Sequence, residues 1–176
     1  MKLEDIRKLN PCYDPNRYLP EDWEGSVSDI LRLEDCPAED RIWVAVRLID
    51  EKASRLFAVW CAREALALVT TPDPRSLAAC DVTERYARGE ASIVELEKAS
   101  AAAAAAANAA YAAAATNAAY AAYAAAATNA AYAAYAAYAA AAATNAAYAA
   151  ANAAYAAERQ KQVAKLLEMV EGRSEK

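Results

Sequence analysis

The chain has no histidine, one phenylalanine, three glycines and four cysteines among its 176 residues. The absent histidine removes the side chain that most often acts as a base near neutral pH and as a zinc ligand. No glycine-rich phosphate loop is present. Cys12, Cys36, Cys61 and Cys80 contain no C-x-x-C pair, so their spacing does not match a metal site. Cys61 and Cys80 fall on apolar helical faces, where a small buried hydrophobe is expected. Cys12 and Cys36 lie in loop-like sequence and could pair. Glu34, Asp35, Glu39 and Asp40 form a carboxylate cluster beside Pro37, where acidic side chains suit the start of a helix. These absences argue against an enzyme and predict no catalytic residue, no cofactor and no metal.

Charge is also missing from a long stretch. Residues 1–100 carry 14 basic and 20 acidic side chains and residues 158–176 carry five and four, whereas residues 101–157 carry none. The net charge is −5. No segment is basic enough for the electrostatic footprint of a nucleic-acid binder, so nucleic acid is excluded as the expected partner. The opening MKLEDIRKLN is charged and poor in apolar residues, unlike a signal peptide. Reduced thiols in the cytoplasm are expected. The uncharged stretch lacks Leu, Ile, Val and Phe, and its asparagines would be costly in lipid, so no membrane partner is expected.

What is present predicts an all-α protein, a helical bundle or array with long alanine-rich helices arranged as one long helix or a helical hairpin. Leu3, Ile6 and Leu9 share helical spacing until Asn10-Pro11 stops them. Residues 10–25 hold Pro11, Pro15, Pro20 and Gly25, interleaved with Tyr13, Tyr18 and Trp23. That composition predicts an ordered loop, with the aromatics packing it onto helices or serving as a binding loop. Ser28 is expected to cap a short helix reaching Leu33, and Pro37 to open a helix whose face includes Ile42, Val46 and Ile49, with Trp43 alongside. Residues 51–69 are apolar nearly all round, the pattern of a central helix. Asp73-Pro74 starts the next helix and Gly89 ends it. The serine–glutamate pair Ser92 and Glu95 is a capping box that opens the following one. Val163, Leu166, Leu167 and Val170 form an amphipathic stripe that Gly172 is expected to end. Leu56, Phe57, Trp60, Cys61, Leu77 and Val82 are the predicted core. The organisation divides into an N-terminal helical domain over 1–91 and an Ala/Tyr-rich helical region over 92–176 with an amphipathic end.

Residues 101–157 consist of 41 Ala, 8 Tyr, 5 Asn and 3 Thr. Alanine is the best helix former in water, and an unbroken helix of this length would extend about 85 Å. The unit Asn-Ala-Ala-Tyr begins at Asn108, Asn117, Asn129, Asn145 and Asn152, and Thr116, Thr128 and Thr144 each precede an asparagine. At about 100° per residue, threonines 12 and 16 residues apart turn by roughly 120° and 160°, so they share no face of a straight helix. That disfavours an ice-binding protein, which remains a minor alternative. Either the tract is one helix, or it breaks at a Thr-Asn pair, with Thr144-Asn145 the leading site. Its tyrosines, Tyr111, Tyr120, Tyr123, Tyr132, Tyr135, Tyr138, Tyr148 and Tyr155, are the candidate interaction surface.

The stretch RLFAVWCAREAL at 55–66, followed by PDPRSLAACDVTERYARGEASIVELEKA at 72–99, resembles a pattern in uncharacterised phage and bacterial alanine-rich helical proteins. Some of these are assigned as immunity proteins of bacterial toxin systems. The resemblance spans roughly residues 37–100 by motif: a central helix, a proline-initiated helix ending at a Gly-Glu turn, then alanine-rich helices. Those proteins often carry histidines where this chain has tyrosine and asparagine. The resemblance implies a non-catalytic helical protein that binds a protein partner as an inhibitor or immunity protein. The alternative is a structural or self-assembling alanine-rich protein whose partner is a second copy.

Overall fold

The computed structural model describes residues 1–69, 71–110 and 151–174, with side-chain surroundings given up to Ala106 and again from Tyr155 to Gly172. The protein is all-α. Among the described residues there are seven α-helices and no strand; Lys2 and Glu24 make an isolated antiparallel bridge. The chain divides into two compact units, with boundaries at Asp50–Glu51 and Glu158–Arg159. Residues 1–50 therefore share a unit with residues from Arg159 onward.

In that unit, α1 (Leu3–Lys8), a 3-10 turn (Pro15–Arg17), α2 (Val27–Leu31) and α3 (Ala38–Leu48) follow in order. Leu3, Ile6, Leu19, Ile30 and Val44 form its core, and Tyr13, Tyr18, Trp23 and Trp43 pack against them half-buried. The proline-rich loop is ordered as expected, with Tyr13 and Tyr18 meeting edge to face at 5.8 Å between ring centroids. The Trp23 ring lies so close to Gly25 that an added Cβ would sit 2.5 Å from it, which makes glycine necessary there. Asn10 reverses the chain after α1 with φ 54°, a conformation asparagine tolerates.

Several helix ends differ by a residue or two from their expected places. The cap of α2 is Ser26, not Ser28: its hydroxyl accepts from the Asp29 N–H at 3.2 Å, and the Asp29 carboxylate accepts from the Ser26 N–H at 2.7 Å. The reciprocal pair satisfies two otherwise orphaned donors, which Ser28 has no acidic partner to match. Pro37 stands at the cap of α3 rather than inside it. The seventh helix, α7 (Ala151–Ser174), runs through Gly172 instead of ending there. No disulfide joins Cys12, which is exposed, to Cys36, which is buried.

The second unit is built on α4 (Glu51–Ala67), α5 (Pro74–Ala87) and α6 (Ile93–Ala110). Helix α4 buries Phe57, Ala58, Val59, Cys61, Ala62, Ala65 and Leu66, and α5 packs against both α4 and α6. Of the six expected core residues, Phe57 and Cys61 are fully buried, while Leu56, Trp60 and Val82 are half-buried. Leu77 is 42 % exposed; α5 turns Ser76, Ala79, Cys80 and Thr83 inward instead. Small residues on that face let α5 approach its neighbours closely, and a leucine would hold it off. Helix α5 starts at Asp73, whose carboxylate accepts from the Arg75 N–H at 2.8 Å. It ends in a Schellman turn: Gly89 at φ 80° donates to Tyr86 O, and Glu90 donates to Arg85 O at 2.8 Å. The Ser92–Glu95 capping box then launches α6, with Glu95 accepting from the Ser92 N–H at 2.8 Å.

Candidate interaction surface

Seven of the eight candidate tyrosines, Tyr111, Tyr120, Tyr123, Tyr132, Tyr135, Tyr138 and Tyr148, lie outside the described residues, as does the Thr144-Asn145 site. Tyr155 is on α7 and half-buried. The start of the alanine tract is described. It continues α6 as helix to Ala110. Leu96, Ala99 and Ala103 pack with Ala79 and Tyr86 of α5, and Ala106 is also buried. Steps of three and four residues place these on one stripe of α6. Ala101 and Ala105 stay exposed. At the opposite end of the helix Ile93 and Val94 project into solvent, 42 % and 68 % exposed.

The arginines of α4 and α5 all meet carboxylates. Arg55 pairs with Glu51 at 2.7 Å, and Arg63 with Asp81 at 2.9 Å and Glu84 at 2.5 Å. Arg75 pairs with Asp73 at 2.7 Å and Arg85 with Glu95 at 3.3 Å, while Arg88 pairs with Glu84. These contacts knit helix ends and helix pairs together, and Arg63 ties α4 to α5. They leave little positive charge on offer.

The arginines of α3 are different. Arg41 is buried and its Nη1 donates to the Leu31 carbonyl at 2.8 Å, so it caps the end of α2. Arg47 is exposed, lies over Trp43 with its Cζ 3.7 Å from the ring centroid, and donates from Nη1 to the Trp43 carbonyl at 2.9 Å. The ring desolvates the guanidinium, which pulls its pKa below the usual arginine value. Trp43 in turn rests against the core of its unit. Neither residue was singled out as a site from the sequence; a tryptophan four residues before an arginine on one helix face was the available signal. The acidic cluster does not converge on a site. Glu34, Asp35 and Glu39 are exposed, and only Asp40 is half-buried, which with neighbouring Glu39 raises its carboxyl above the ordinary range.

Among the described residues no group of three or more Asp, Glu, Cys or His could hold a metal ion, and no helix is long and apolar enough to cross a membrane. No family model, curated protein or solved structure matches the chain.

Proposed function

We propose that this chain is a non-catalytic helical protein that binds another protein, in the manner of an inhibitor or immunity protein. The observation that carries the proposal is the chargeless, tyrosine-bearing sequence of residues 101–157. Centres of protein interfaces are depleted in charge and enriched in tyrosine, which brings a large rigid apolar face and one hydroxyl. Where the tract begins, α6 packs Ala99 and Ala103 against α5 and leaves Ala101 and Ala105 exposed. The resemblance of residues 37–100 to immunity-like proteins supports the same reading.

The test compares the intact chain with Tyr132→Ala/Tyr135→Ala/Tyr138→Ala as bait in a host lysate. The intact chain should retain a stoichiometric partner that the triple variant loses, with melting unchanged because alanine preserves helix propensity. Equal capture by both baits, or by neither, would remove the basis for the proposal.

A second reading, self-assembly, draws on one observation. Ala103 is already buried in a helix–helix contact with α5, and bare alanine helices approach closely enough to gain dispersion contacts along their length. Light scattering on the intact chain separates the two: a concentration-independent monomer leaves only the heterologous partner.

A further inference from the structure

We draw no further inference here: the strongest candidate, the exposed apolar surface that Ala67 of α4 and Leu77 of α5 present one helical turn from the Arg63–Asp81 ion pair, carries nothing because nothing among the described residues shows what covers it.

Discussion

Arg32, at the C-cap of α2, and Glu171, near the end of α7, form an ion pair across 139 residues of chain. The two ends of the sequence thus meet within one unit. Val163 and Leu166 of α7 are buried, along with Arg159 and Gln162. The pair itself is exposed, 55 % and 43 %, and such pairs contribute about 0–1 kcal/mol. Arg32→Glu should therefore shift the urea midpoint only slightly. Leu166→Ala, at a fully buried site, should cost about 2–5 kcal/mol, and should speed amide exchange at Leu3, Ile6 and Ile30. Unchanged exchange at those amides would show that α7 does not support residues 1–50. A chain ended at Ser100 would also lose this helix, so the alanine tract is better probed by point substitution.

Burial ranks the residues of the second unit. Phe57 is fully buried and stacks on half-buried Trp60 with centroids 6.2 Å apart. Phe57→Ala should cost about 3–5 kcal/mol and Trp60→Ala less, while exposed Leu77→Ala should stay within about 0.5 kcal/mol of the parent. Thermal unfolding of the three variants checks the order.

Two glycines should respond in opposite senses. Gly89 sits at φ 80° with nothing near an added Cβ, so Gly89→Ala meets only backbone strain, about 1–2 kcal/mol of destabilisation. Gly172 lies within α7 and also has open space around it. There, Gly172→Ala should stabilise by up to about 1 kcal/mol through reduced backbone entropy in the unfolded chain. Melting temperatures that moved in the same direction would contradict one of the two assignments, the sign showing which.

Burial pushes the Cys36 thiol up to about 11 and the Cys80 thiol up to about 12, from an ordinary value of 9.0. The unfolded chain then loses these protons first. Their contribution is constant below pH 9, and stability falls as pH rises from about 9 towards 11–12. The denaturation midpoint should drop between pH 8 and pH 10, and Cys80→Ala should flatten part of that drop. At pH 8 a thiol reagent should label exposed Cys12 quickly and the buried cysteines only on unfolding.

Local chemistry by itself determined much of this protein. Asp73-Pro74, Gly89 and the Ser92–Glu95 box act within four or five residues of themselves, so each worked as its sequence implied. The apolar pattern of residues 51–69 called for a deeply buried helix, and Glu51–Ala67 is one. Tertiary structure decided what depends on partners distant in sequence. Helical periodicity does not reveal which face a neighbour will cover, so Leu77 turned out exposed while Ser76 and Thr83 went inside. The sequence order 1–91 and 92–176 says nothing of residues from Arg159 onward joining residues 1–50, because an amphipathic stripe shows that a face will be covered and not by what. Trp43 and Arg47 are ordinary neighbours on a helix until the core takes up the indole ring; only then does the guanidinium gain a set surface to rest on.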